Sequence, residues 1–249
     1  MPRRARLVLP NVPLHITQRG VNRAAILIDD DDRHHYRKLL HEACTGNAIA
    51  VHASVLMDNH VHLLLTPPRP EVLAVAMRAV GQSYVQCFNY RHGRSGTLWQ
   101  GRFKSCLVDS DRYALTVCRY IELNPVRAAM AALPEEYRWS SVHTHLGKAR
   151  DPLITPHPAY QALGATGEER TIAYGMWLHS GIDDEELPAI RSYRNGVRLT
   201  SSNTRPGSEA VIPARADHPI SLTRPMEREE RRSGLLPDRP NLPTIHSSG

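Results

Sequence analysis

Residues 49–66 read I-A-V-H-A-S-V-L-M-D-N-H-V-H-L-L-L-T. Two runs rich in apolar and β-branched residues, Ile49–Met57 and His60–Thr66, flank the turn-forming pair Asp58-Asn59, the pattern of a β-hairpin. Upstream, Asp29–Asp32 offer an N-cap and favourable charge to a helix carrying Tyr36, Leu39, Leu40 and Ala43, which stops at Gly46. Before it, Val12–Gln18 alternate apolar and polar, as a half-buried strand does, and Ala24–Ile28 fit a second short strand. Downstream, Pro70 opens a helix with an apolar stripe of Leu73, Met77, Val80, Tyr84 and Cys87, fading near Gly93. Leu98–Val108 follow as a strand with basic residues on it. Ser110 and Asp111 then cap a long helix containing Tyr113, Leu115, Val117, Tyr120, Ile121 and Leu123. This order predicts an α+β fold: a ferredoxin-like or RRM-like antiparallel sheet with helices over one face.

The chain of 249 residues has room for one domain and additional material. We expect a main domain over residues 1–149, a small helical extension over 150–189, and a Pro-rich tail over 190–249. Residues 206–249 hold seven of the nineteen prolines and no aromatic residue, too little apolar surface to offset the entropy of ordering, so the tail is expected to be disordered. Charge divides unevenly. Residues 1–150 carry 20 basic against 12 acidic side chains, a net +8, and residues 151–249 carry 11 against 13, a net −2. The base lies where it could attract a polyanion. The four cysteines, Cys44, Cys87, Cys106 and Cys118, form no C-x-x-C pair and match no common zinc spacing. The apolar run near the N-terminus is cut short by Pro10, and no later stretch approaches the length of a membrane span. A soluble, cytoplasmic chain with reduced thiols is expected.

Chemistry concentrates in two places. In His60-Val61-His62 the two imidazoles project from one face of a strand, because strand side chains repeat every two residues. They can grip one divalent ion, or be two partly exposed strand histidines. His143-Thr144-His145 has the same spacing in a stretch that reads as helical, where residues two apart diverge, so that pair is expected to be structural. The second place is Tyr120-Ile121-Glu122-Leu123-Asn124-Pro125-Val126-Arg127-Ala128. Tyr120 and Asn124 sit one helical turn apart on a common face, where a phenol and an amide carbonyl can address one phosphodiester and its metal. A core tyrosine is the plain alternative. Tyr113 has Val117 at its fourth position and reads as core.

Three strings carry a resemblance: Met57-Asp58-Asn59-His60-Val61-His62-Leu63-Leu64, Leu98-Trp99-Gln100-Gly101-Arg102-Phe103-Lys104-Ser105, and the Tyr120–Ala128 segment. In this order they resemble the signature blocks of REP-associated tyrosine transposases, relatives of the single-tyrosine (Y1) insertion-sequence transposases within the HUH endonucleases. His15-Ile16-Thr17-Gln18-Arg19-Gly20 and Tyr137-Arg138-Trp139-Ser140-Ser141 also resemble family segments, so the likeness spans about residues 10–147. It implies that His60 and His62 hold a divalent ion, Mg²⁺ or Mn²⁺, and that Tyr120 is the nucleophile. Asn124 falls where insertion-sequence relatives carry a glutamine as third ligand; being one methylene shorter, it would bind directly or through water. The implied substrate is single-stranded DNA folded into imperfect hairpins, acted on by a monomer or a homodimer associated with the bacterial nucleoid.

Arg102 and Lys104 lie two apart on an expected strand and would share a face toward the DNA backbone; Arg19, Arg23 and Arg127 are further candidates. Trp99 could stack on an unpaired base. Two other functions fit the same residues. One is a domesticated nucleic-acid-binding module that no longer cuts; the other is a metal-dependent phosphodiesterase using water in place of Tyr120.

Overall fold

The computed structural model describes residues 7–108 and 110–181. Every described residue lies in one compact unit, within Met1–Arg215. The expected tail, 190–249, falls outside the described residues. Among those described, no helix is long and apolar enough to cross a membrane.

Four antiparallel strands form one sheet: β1 (Leu14–Arg19), β2 (Ala50–Met57), β3 (His60–Thr66) and β4 (Lys104–Leu107), in the order β2-β3-β1-β4. The hairpin expected around Asp58-Asn59 is present, with Met57 opposite His60 and Leu56 opposite Val61. Three helices accompany the strands: α1 (Asp30–Gly46), α2 (Pro70–Arg91) and α3 (Asp111–Glu122). Their starts follow the anticipated signals. Asp29 accepts from the Asp32 amide, Pro70 opens α2, and Ser110 accepts from the Tyr113 amide.

Parity along β1 sorts the two faces of the sheet. Leu14, Ile16 and Gln18 turn to the α2 side, where Gln18 approaches Gly81. His15 and Thr17 turn the other way and contact His62. Thus α1 and α2 share one face, but the expectation of helices over one face only does not hold for α3, which lies on the opposite face over β2 and β3, together with the histidines.

Two expected strands differ. Ala24–Ile28 form no strand; the chain makes a single 3₁₀ turn at Val21–Arg23, with Asn22 and Arg23 at positive φ. The Ile26 and Leu27 amides then both donate to the Asp58 carbonyl, at 2.7 and 3.0 Å, so the segment pairs with the hairpin turn and not with the sheet. Gly20 makes this possible, since a Cβ there would meet the Ala24 oxygen at 2.2 Å. The strand expected over Leu98–Val108 shrinks to Lys104–Leu107. Trp99 makes one bridge to Gly20, and Gly101, at φ +73°, breaks the run between.

After α3 the chain makes short helices α4 (Asn124–Arg127), α5 (Val142–His145) and α6 (Pro158–Gln161), then α7 (Gly167–His179). The segment around residues 139–155 runs along the outer edge of β2. Leu56 donates to the Trp139 carbonyl at 3.0 Å, Ser141 to Ser54 at 2.9 Å, and Thr155 to Val51 at 2.7 Å. These bonds satisfy backbone groups that an edge strand would otherwise expose.

His52, on that strand, is buried with both nitrogens engaged, by the Thr155 carbonyl and the Thr66 hydroxyl, each at 2.8 Å. Burial lowers its pKa to about 4. The unfolded chain takes up a proton near pH ~6.5 while the folded chain resists until about 4, so stability is lost as pH falls through that window. The loss from this group is on the order of 3 kcal/mol. Urea melts at pH 7 and pH 4.5 should show it, and equal midpoints would contradict the neutral buried imidazole.

Candidate active site

The sheet face opposite α1 and α2 gathers polar side chains in rows, because directly paired residues of antiparallel strands share a face. One row runs Lys104, Thr17, His62, Val55; its neighbour pairs Arg19 with His60. His60 and His62 have ring centroids 4.9 Å apart at 80°. With metal–nitrogen bonds of about 2.1 Å, two imidazoles on one ion have centroids roughly 4.5–5.5 Å apart, so the pair fits a shared cation. His60 Nδ1 donates to Asn59 Oδ1 at 2.6 Å, which assigns the lone pair of that ring to Nε2.

Tyr120 descends from α3 onto the same face. Its ring centroid lies 5.8 Å from that of His62 and 5.8 Å from that of His15, edge-on to both. The three rings are largely buried: Tyr120 is 4%, His62 3% and His15 6% exposed. Arg127 places its guanidinium 4.9 Å from the Tyr120 ring centroid. Histidine pair and phenol therefore meet within one chain. Tyr113 is buried, in keeping with a core role.

The helix around Tyr120 is anchored from its other side. Glu122 is fully buried, and its carboxyl accepts from Ser141 Oγ and His145 Nδ1 through one oxygen and from the Tyr174 hydroxyl through the other, each at 2.6 Å. Arg119 stacks its guanidinium 4.0 Å from the Trp177 ring centroid. His145 is thus a structural partner of α3, and His143 bonds the Tyr137 carbonyl at 3.1 Å; the second His-x-His pair diverges, as its helical setting implied.

Several expected residues stand elsewhere or differently. The helix expected to run through Asn124 ends at Glu122, and a new turn begins at Asn124. Asn124 donates its amide nitrogen to the Tyr120 carbonyl at 2.7 Å, leaving its oxygen as the atom that could reach a cation. Arg102 is exposed in a bend outside β4, so it does not share a strand face with Lys104. It lines a cavity of about 850 Å³ on the α2 side with Trp99 and Gln18. Trp99 donates to the Gly81 carbonyl at 3.1 Å and packs near Tyr84 and Tyr36, which makes it part of the α2-side packing. Arg23 is exposed in the turn after β1. His15 and Thr17 were not anticipated at the site. Alternation had already placed them on one face of β1, but nothing local states which strand lies beside them.

Among the described residues, Asp29 and Asp32 at the start of α1 and His92 at the end of α2 bring ligand atoms within 4.8 Å of one another. Arg91 already supplies a cation there, pairing with Asp29 at 3.1 Å and with Asp32. This group is separate from the histidine pair of the sheet.

Residues 9–124 match the family described as Transposase IS200 like, the Y1 transposases. That stretch, a little under half of the chain, is similar to an IS200-like transposase domain. It runs from before β1 through Asn124 and so contains His60, His62 and Tyr120. A solved REP-associated tyrosine transposase bound to a REP hairpin shares the fold, with a TM-score of 0.51 at 18% identity over 64% of this chain and 96% of the other. A protein described as a transposase from Deinococcus radiodurans R1 aligns at 22% identity over 49% of this chain and 96% of its own, with a TM-score of 0.34. No curated protein matches the sequence.

Proposed function

We propose that this Y1-family domain cuts and rejoins single-stranded DNA through Tyr120, on hairpin substrates of the REP-associated type. The observation that carries the reading is the approach of the Tyr120 ring to His62, 5.8 Å, beside a histidine pair spaced for one cation. His60 and His62 would hold Mg²⁺ or Mn²⁺ through Nε2, with the Asn124 oxygen directly or through water as a further ligand. When bound, that ion polarises a non-bridging oxygen of the scissile phosphate. The Tyr120 oxygen attacks phosphorus in line; the bond to the 3′ oxygen breaks, and a 5′-phosphotyrosine forms. The phenol proton ends on the departing 3′-hydroxyl. Attack of a 3′-hydroxyl on the phosphotyrosine reverses the step and joins strands. Arg127, over the phenol ring, stabilises the developing phenolate. Since one chain supplies all these groups, a monomer suffices.

Incubation of the full chain with hairpin oligonucleotides, with and without Mn²⁺, tests this. A metal-dependent covalent protein–DNA band is expected. Cleavage with no band would instead indicate water as nucleophile, and binding alone would indicate a module that no longer cuts.

Arg19 beside His60 and Lys104 beside Thr17 place two cations around the histidines on the site's own face. Each phosphate contact to a single strand contributes about 0.7 to the slope of log affinity against log salt. Lys104→Ala should reduce that slope by about 0.7, whereas Arg23→Ala, out in the turn, should change it less. Equal slopes for wild type and Lys104→Ala in fluorescence anisotropy would remove Lys104 from the interface.

A further inference from the structure

We propose that His15 determines which nitrogen of His62 carries the proton, and so whether His62 can ligate a cation at all. The inference rests on the reading that His60 and His62 hold the ion. His62 Nδ1 lies 2.9 Å from His15 Nε2 and 3.1 Å from Thr17 Oγ1. Two imidazole nitrogens at hydrogen-bond distance need one proton between them: one nitrogen donates and the other accepts.

Only two neutral arrangements exist. In the first, His62 Nδ1–H donates to His15 Nε2, and the lone pair of His62 resides on Nε2, directed to the ligand position. In the second, His15 Nε2–H donates to His62 Nδ1, the proton of His62 moves to Nε2, and that ring no longer has a lone pair for a metal. The Thr17 hydroxyl can donate or accept, so it tolerates both. The choice falls to His15, which must carry its own proton on Nδ1 and present an unprotonated Nε2. His60 reaches the same end through a different device, since the carboxamide oxygen of Asn59 can only accept.

Packing fixes the geometry of this contact. The ring centroids of His15 and His62 lie 5.0 Å apart with the ring planes at 27°, close to the coplanar approach that a ring-to-ring hydrogen bond needs, and the His15 ring also meets Tyr120 edge-on at 5.8 Å. His15 therefore lies against both the ligand and the nucleophile without being either; it is a positioning residue acting through His62.

Long-range ¹H–¹⁵N spectra of the metal-free, full-length chain read the tautomer with no substitution required. His62 protonated at Nδ1 and His15 unprotonated at Nε2 is the expected result; His62 protonated at Nε2 overturns the proposal. Mn²⁺ affinity, followed by the free-ion EPR signal, gives the functional readout. His15→Leu, which removes the acceptor, should weaken Mn²⁺ binding by about 10–100-fold. His15→Gln, whose carboxamide reaches the former Nε2 position, should recover most of that loss, which a merely space-filling role would not allow. Unchanged Mn²⁺ affinity in a folded His15→Leu protein also overturns the proposal. If the wild-type chain and His60→Ala bind Mn²⁺ equally poorly, the cation reading itself fails; the tautomer spectrum still decides the role of His15.

Discussion

Tyr120→Phe is expected to abolish the covalent protein–DNA band and lower strand cleavage by roughly 10⁴-fold or more, as removal of a covalent nucleophile does. Phenylalanine keeps the ring that packs against His15 and His62 and the surface beneath Arg127, and loses only the oxygen that would bond to phosphorus. Hairpin affinity should consequently stay within a factor of about three of wild type. The pairing of lost chemistry with retained binding is the diagnostic feature. A Tyr120→Phe protein that still became attached to DNA would direct attention to another nucleophile, with Tyr113 the nearest candidate in sequence. One that cleaved without attachment would favour attack by water.

Glu122→Ala should have the largest effect on stability. Its carboxyl accepts from Ser141, His145 and Tyr174 in a site with no solvent exposure. Truncation leaves three buried donors without an acceptor, a loss of about 3–5 kcal/mol, which is a large fraction of a domain's total stability. Tyr174→Phe removes one of the three bonds and should cost less, about 1.5–3 kcal/mol. Chemical denaturation of both variants checks the order. If Glu122→Ala melted with the wild type, the three hydrogen bonds would not be what holds α3 in place. Cleavage should fall further than the folded fraction alone explains, because Tyr120 is only two residues away on the same helix.

The hairpin, the caps of α1, α2 and α3 and the divergence of His143 and His145 were legible because each depends on short-range rules: strand parity, turn residues, capping and helical period. Where pairing between distant segments decides, the sequence was silent or misleading. Ala24–Ile28 have strand-like side chains, yet the Ile26 and Leu27 amides go to Asp58, thirty-odd residues away. Gly101 sits in a run that otherwise reads as a continuous strand, and its positive φ detaches Arg102 from the face that Lys104 keeps. Tyr120 and the His60–His62 pair could be listed separately from sequence. Their meeting depends on α3 crossing the sheet face opposite α1 and α2, which no local pattern encodes. The same holds for His15, whose importance follows from β1 lying next to β3. Glu122 was quoted within a motif, but its burial against α5 and α7 depends on residues beyond the matched family segment.

That last contact bears on how the protein can be divided. Tyr174 and Trp177 belong to α7, well past Asn124, yet they grip Glu122 and Arg119 on either side of Tyr120. A gene cut after codon 149 would still encode His60, His62 and Tyr120 while discarding the residues that clamp the helix carrying Tyr120. Any portable version of the domain would therefore have to be carried through to the end of α7, and a shuffled or shortened copy would keep His60, His62 and Tyr120 without the contacts that align them.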